Sequence, residues 1–413
     1  MSELKPQATE KLKKTLNLPL LIFYGVGTIL GLGIYVLLGK VGGEAGMLAP
    51  FAFLVAAILA GFTGLSYGEL ASRIPKSAGE VNYVDEAFGK KFLSMAMGWL
   101  IVLSAMVSTA TVVNGYVGYV HVFIELPDWL IMIAITIMLG AVAAKGISES
   151  AFLITVITII EIAGLFLVIF IAGDNLVSFS ARWEELIPSA TTTDWEKILL
   201  GAFLAFFTFI GFQDMVNVAE EAKNPKKDMP TAIMVSLVVL TVLYIIVAVI
   251  AGLGLTPQEL NQSEAPLADI LAKEGENYPK IISAIGLIAI VNGVLVQIVM
   301  SARVMYGMAE KKMAPSLFGK VNSTTNTPIW STIFATVFIL LLSLSFDLKN
   351  LAIATNYILI LVFILINLAL IAIKRKVPHP EGIKTYPIAI PILGAIFSLG
   401  ILIFQAWSSI SGI

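Results

Sequence analysis

Gly25-Val-Gly-Thr-Ile-Leu-Gly-Leu-Gly33 lies in the middle of the first long apolar stretch of the chain. Glycine costs about 1 kcal/mol relative to alanine in an ordinary helix interior, and this segment holds four in nine residues. In a bilayer the cost is compounded, because a broken helix leaves backbone N–H and C=O groups with no water to pair with. Such a break persists only where it is buried in protein or lines a cavity. A glycine-rich interruption at mid-membrane depth therefore marks a candidate binding site. The competing explanation is a close-packed helix seam, for which Gly27 and Gly31 have the Gly-x-x-x-Gly spacing.

The membrane setting follows from composition. The chain has 413 residues, 58% of them hydrophobic and 13% charged, with a mean hydropathy of +0.92. Soluble domains carry about 25% charged residues. A net charge of −2 gives no basis for nucleic-acid binding. The absence of cysteine excludes thiol chemistry and a disulfide-linked subunit, and the only histidines are His121 and His379. No metal or other cofactor is expected. The polar start of the chain, residues 1–16, is followed by a long apolar stretch with no small-residue cleavage site, which reads as a retained first span.

Apolar runs of about 20 residues mark the spans. They fall near 17–39, 47–72, 92–122, 127–144, 149–172, 195–222, 230–254, 278–309, 327–345, 350–373 and 386–410. The expected fold is an all-α integral membrane protein of about 11 transmembrane helices. With the N-terminus inside, 20 of the 26 lysines and arginines lie on inner segments and 6 on outer ones. The positive-inside rule then places residues 1–16 in the cytoplasm, in a multi-pass protein of the cytoplasmic membrane. The longest outer loops are 173–194 and 255–277, and Leu267-Ala-Asp-Ile-Leu271 reads as a short surface helix.

Five is an odd number of spans, so a second group of five must run through the membrane in the opposite sense. Residues 17–172 and 195–373 form a 5+5 inverted repeat on this reading, followed by a linker and one extra helix in 374–413. The repeat predicts a second break in span 6. There Gly211 is followed by Gln213 and Asp214, at a depth where charge is expensive. Counting at about 1.5 Å per residue, Gly211 lies some 24 Å into its span and Gly31 about 21 Å into the first.

The flanking blocks resemble the amino acid permeases of the amino acid–polyamine–organocation superfamily, over essentially the whole chain. They are Gly31-Leu-Gly-Ile-Tyr35; Tyr67-Gly-Glu-Leu-Ala-Ser-Arg-Ile-Pro-Lys-Ser-Ala-Gly-Glu80 with Phe88-Gly89 and Gly98-Trp99; Phe207-Thr-Phe-Ile-Gly-Phe212 with Glu220-Glu-Ala-Lys-Asn-Pro-Lys-Lys-Asp-Met-Pro230; and Ser301-Ala-Arg-Val-Met-Tyr-Gly-Met-Ala309 ending at Pro315. The resemblance implies spans 1 and 6 unwound at their centres and a substrate held between them. By motif position it implies substrate contacts from Ile29, Gly31, Leu32, Gly33, Phe207, Phe209 and Ile210, with Phe207 as an aromatic gate. Leu32 departs from the pattern, which has a hydroxyl residue between the two glycines.

The chemistry of the two breaks suits a zwitterion. Amides opening a half-helix near Gly31, Leu32 and Gly33 would take a carboxylate. Carbonyls near Phe206, Phe207 and Phe209 would take an ammonium group. Thr208 either lines the pocket or bonds its own helix. In span 3, Ser104, Ala105 and Ser108 are expected to face the pocket and leave room for a side chain. Gln213 stands where relatives frequently carry an acid, and its neighbour Asp214 would point about 100° away on an α-helix. With no carboxylate evident beside the pocket except Glu161, a neutral amino acid is favoured, and a polyamine or organic amine is the runner-up.

Glu161, about 18 Å into span 5, stands where proton-coupled relatives have a lysine. An intramembrane carboxylate is a functional candidate by default. It would carry a proton, or, ranked behind, hold sodium together with Ser301 and the Gly25 or Val26 carbonyl; the third reading is a neutral acid bonded to the broken backbone. Arg73, Glu80, Glu220, Glu221, Lys223, Asp228 and Arg303 gather at inner span ends, either as anchors or as an ion-paired inner gate. Asn292, Gln297 and Asn356 are expected to bridge helices. No nucleophile–base pair stands out, so no enzyme is expected, and no output domain is present for a sensor. The reading is a secondary transporter of amino acids.

Overall fold

The computed structural model describes residues 14–31, 33–76, 79–146, 151–322 and 324–411. Leu32 and most of the polar N-terminus, both singled out above, lie outside the described residues. Regular structure among those residues is helical throughout, apart from one isolated parallel bridge between Leu16 and Ala222. The first interruption separates α1 (Leu18–Leu30) from α2 (Ile34–Ala45). There follow α3 (Ala49–Arg73), α4 (Gly79–Phe88), α5 (Lys91–His121), α6 (Asp128–Ala144), α7 (Ala151–Ile171) and the short α8 (Phe179–Arg182). The second interruption follows α9 (Thr192–Phe207), and the chain resumes as a 3-10 helix, Phe212–Glu221. The remaining helices are α10 (Pro225–Gly254), α11 (Pro257–Gln262), α12 (Pro266–Ala272), α13 (Tyr278–Glu310), α14 (Ile329–Ser345), α15 (Leu348–Lys376) and α16 (Ala389–Ser411).

Among the described residues, eight helical stretches are long and apolar enough to cross a membrane. Three shorter apolar helices, Leu18–Leu30, Asp128–Ala144 and Ile329–Ser345, lie where the sequence places spans 1, 4 and 9. Helix starts follow local chemistry. Asn17 accepts from the Leu20 amide at 3.1 Å to cap α1, and Asp347 caps α15 through the Asn350 amide at 2.9 Å. Thr256 and Glu259 form a reciprocal capping box on α11. Each satisfies amides that a helix start leaves orphaned.

The two interruptions cross in direct contact. A Cβ at Gly33 would stand 2.4 Å from the Thr208 Cα. A Cβ at Gly211 would stand 2.4 Å from the Thr28 carbonyl oxygen, and Gly211 adopts φ +121°, which L side chains rarely enter. The Thr28 hydroxyl is placed 3.3 Å from the Gly211 carbonyl and 3.1 Å from that of Gly25. Only glycine permits this approach of two backbones.

One expectation about the helix ends is corrected. The helix expected at Leu267–Leu271 is present as α12, but Leu267, Ile270 and Leu271 are buried. It packs on α2 and α13, so its apolar residues cover the bundle instead of lying on the surface. Arg73, read either as a helix-end anchor or as a member of an ion-paired inner gate, pairs in this structure with Glu69 one turn back, at 2.7 Å. Lys374 of α15 reaches the same carboxylate at 2.8 and 2.9 Å, and the Tyr386 amide donates to it at 2.9 Å. Glu69 is wholly buried, and a buried carboxylate is tolerated only when paired and bonded in this way. The Arg73 guanidinium also donates to the Val377 and Pro378 carbonyls, tying α3 to the chain that leaves α15.

Gly211→Ala is expected to destabilise the protein, since both a disallowed backbone and a clash with Thr28 would have to relax; backbone strain alone costs about 1–3 kcal/mol. Gly61→Ala lies inside α3, where an added methyl group would meet nothing within 4 Å. It is expected to be neutral or stabilising by up to about 1 kcal/mol. Melting curves of the two variants in detergent check the contrast.

Candidate functional site

The turn after α9 is wound tightly. The amides of Thr208, Phe209 and Ile210 donate to the carbonyls of Ala205, Phe206 and Phe207 at 2.9, 3.1 and 3.0 Å. The carbonyls of Phe206 and Phe207, expected to be open to an ammonium group, are therefore occupied. The Thr208 hydroxyl donates to Ala205 at 2.7 Å, which settles its two readings in favour of bonding its own helix. The Tyr244 hydroxyl donates to the Thr208 carbonyl at 3.2 Å. Among the described residues, no hydrogen bond reaches the carbonyls of Phe209 and Ile210. At the other break, the Gly31 amide closes α1 on Gly27 at 3.1 Å, and the Gly33 amide reaches Leu30 at 3.3 Å. The orphan amides at the start of α2 then belong to Ile34 and Tyr35, since the helix has no side-chain cap.

A small cavity of about 20 Å³, room for roughly one water molecule, opens beside the second break. Ser104, Ala105, Ser108, Ile210 and Ser301 line it, as do Glu80, Gln213, Asp214 and Gln297. Ile29, Gly31, Gly33, Phe207, Thr208, Phe209 and Glu161 do not line it; all are buried around the crossing of the breaks. The sequence reading found no carboxylate beside the pocket other than Glu161, and drew a neutral substrate from that. Two carboxylates line the cavity, so that ground for a neutral substrate falls.

Asp214 was missed for a local reason. The expectation assumed an α-helix after the break, whereas this segment is 3-10 wound, at 3.0 residues per turn. The Gln213 side chain folds back, so that its Oε1 accepts from the Gly211 amide at 2.9 Å. Asp214 faces the cavity, and Gln297 Nε2 of α13 donates to its Oδ2 at 2.9 Å. Gln297 thus bridges helices as expected, and so does Asn356, which donates to the Phe203 carbonyl. Asn367, which the sequence did not single out, joins α15 to Ser66 and Thr63 of α3 at 2.7 and 3.1 Å.

Glu161 is fully buried in α7, and neither carboxyl oxygen has a hydrogen-bond partner among the described residues. Among the described residues, no donor of the broken backbone reaches it. It faces the first break closely: a Cβ on Gly31 would stand 3.5 Å from Glu161 Oε1. The Glu161 carbonyl accepts from the Tyr35 hydroxyl at 2.8 Å, and the Tyr35 carbonyl accepts from Tyr119 at 2.6 Å. A buried carboxyl with no donor costs free energy until a proton, a cation or a ligand's donor reaches it. Ser301 lies on the Asp214 cavity, which Glu161 does not line, and the Gly25 carbonyl accepts from Thr28. Ser301 and Glu161 therefore do not share one cavity.

Comparison with known proteins covers nearly the whole chain. The family model described as amino acid permease matches residues 16–411. The branched-chain amino acid permease BcaP of Bacillus subtilis (strain 168) is 30% identical over 97% of this chain and 90% of its own length. The methylthioribose transporter of the same organism is 27% identical over 97% of this chain and 89% of its own. The mitochondrial cationic amino acid transporter 3 of Arabidopsis thaliana is 27% identical over 90% of this chain and 64% of its own length.

Glu80 lies on α4, outside the spans, and is 2% exposed. Burial pushes its carboxyl up from 4.5 to about 8, with the charge of Asp214 adding to the shift. The folded state therefore holds this proton between those limits and the unfolded state does not. The stability this contributes is present below about pH 4.5 and is lost as pH rises through 8. Glu80→Gln is expected to flatten the dependence. The melting temperature of the wild type, measured relative to that of the variant, should fall steadily from pH 5 to pH 8.

Proposed function

Because this chain belongs to the amino acid permease family, a family of membrane transporters and not of enzymes, we propose that it is a secondary active transporter that moves amino acids across the cytoplasmic membrane by alternating access, coupled to protons. The observation that carries this reading is the crossing of two interrupted helices, with Gly33 packed on Thr208 and Gly211 on Thr28. Each break presents opposite polarity. The orphan amides of Ile34 and Tyr35 offer a positive helix end to a carboxylate, and the Phe209 and Ile210 carbonyls offer acceptors to an ammonium group. An α-amino acid has both groups at a fixed separation.

In this reading the substrate backbone lies against Ile29, Gly31, Leu32, Gly33, Thr208, Phe209 and Ile210, and its side chain extends towards Ser104, Ala105 and Ser108. Phe207, wholly buried at the end of α9, is the gate that moves aside. The architecture proposed with it has eleven spans, with residues 17–172 and 195–373 as inverted repeats, 374–413 carrying the last span and residues 1–16 in the cytoplasm. Lysine and arginine placement supports that orientation. Glu161 is the proton carrier, since its carboxyl is buried, lacks a partner and faces the first break.

Reconstitution into proteoliposomes tests both parts. The wild type is expected to accumulate an amino acid under an imposed pH gradient. Glu161→Gln should lower that accumulation by about tenfold or more, while leaving exchange across equal pH within about threefold. Unaltered gradient-driven accumulation in the variant would remove the proton role. Failure of the wild type to exchange any amino acid would remove the transport reading itself.

A further inference from the structure

The cavity beside the second break has a charge pattern that the proposed backbone site does not use. Its two ionisable lining residues, Asp214 and Glu80, are both acids, and no lysine or arginine lines it. Both are buried, at 6% and 2% exposure. Asp214 receives Gln297 at 2.9 Å on one oxygen and Gln213 at 3.5 Å on the other. A carboxylate has about four acceptor sites, so Asp214 retains capacity on both oxygens. Neutral amide donors leave its charge uncompensated, which is the costly condition for a buried acid.

The serines of the lining add acceptors. Ser104 and Ser108 donate their hydroxyl hydrogens to their own helix, to Ile101 at 2.8 Å and Ala105 at 3.0 Å. Their lone pairs are what they have left to offer. The Ser301 hydroxyl, 1% exposed, lines the same cavity and has no hydrogen-bond partner. A compartment with two acidic side chains, serine oxygens and no lysine or arginine is suited to receive positive charge, with Glu80 giving up its proton when a cation enters. Continuity with the break sets what brings it. Ile210 belongs both to the turn and to the cavity lining, and Asp214 follows Gly211 by one 3-10 turn.

We propose that this cavity is the side-chain subsite of the transporter and that it takes the ammonium or guanidinium end of a cationic amino acid, held by Asp214 and Glu80 with Ser301 as a further acceptor. The proposal rests on the transport reading above and adds the charge of the substrate. It gives Asp214 a role one residue beyond the position where the sequence looked for an acid. Gln213, spent on the Gly211 amide, is the residue that holds the break in shape.

L-lysine and L-norleucine test it, because they share a backbone and a chain length and differ in the terminal ammonium. Binding to the purified protein is measured by thermal shift and by displacement of radiolabelled lysine, with cadaverine as a third probe, in sodium and in choline buffers. The expected result is lysine binding at least about tenfold tighter than norleucine in either buffer, with Asp214→Asn bringing the two to within about twofold. Glu80→Gln should narrow the gap as well, and serves if Asp214→Asn does not fold. Norleucine binding as well as or better than lysine in the wild type would overturn the subsite while leaving the transporter reading intact. Norleucine binding that requires sodium and is lost in Asp214→Asn would assign the cavity to an inorganic ion and also overturn it. Binding of cadaverine alone, or of none of the three by a protein that also exchanges no amino acid, would overturn the parent reading.

Discussion

Two backbones meet at the centre of this molecule with no side chain between them. Gly33 lies against Thr208 and Gly211 against Thr28, each closer than a methyl group allows. Everything proposed for the site depends on that contact. Interrupting a helix inside a membrane frees backbone groups that cannot be left unpaired in lipid. Here most are recovered within the protein itself, through the i to i+3 bonds of the turn after Phe207, the Tyr244 hydroxyl on Thr208 and the Gln213 carbonyl oxygen on Gly211. The few that remain, at the start of α2 and at Phe209 and Ile210, are of opposite polarity.

The buried acids divide according to how they are held. Glu69 is fully enclosed by Lys374, Arg73 and the Tyr386 amide. That arrangement joins α3, α15 and the chain leading to α16 and gives no opening for a ligand. Asp214 has only amide donors, and Glu161 has none. The same side-chain chemistry is thus a satisfied structural tie in one place and keeps open acceptor capacity in the others. Number and charge of donors make the difference, since an acid surrounded by cations is satisfied and an acid surrounded by neutral groups is not.

The broad design was legible in the sequence because it is written in long patterns. Apolar runs located the helices, the glycine run located the first break, and the odd number of spans before residue 173 pointed to Gly211. Ser104, Ala105 and Ser108, expected to face a pocket, do line a cavity, because their helix is regular; Ser301 lines it too, where the sequence had joined it to Glu161. What failed to show was local winding and long-range pairing. Asp214 was discounted because an α-helix was assumed where the chain is 3-10 wound. The Arg73 pairing went unseen because Glu69, 0% exposed, looked like any other residue of the motif. The lid formed by α12 was read as a surface helix because a short apolar stripe does not say what it packs against.

The 3-10 helix Phe212–Glu221 has a mechanical side. At about 2.0 Å per residue against 1.5 Å for an α-helix, these ten residues are about 5 Å longer than they would be if rewound. Their far end is pinned to the start of the chain, where the Leu16 amide meets the Glu221 carbonyl at 3.0 Å and the Lys223 amide meets the Leu16 carbonyl at 2.8 Å. Leu16 leads directly into α1, and the other end of the segment begins at the Gly211 contact. The stretched segment and the first half-helix therefore form a closed loop of backbone around the crossing. A change of winding on one side of that loop would be felt as a pull on the other.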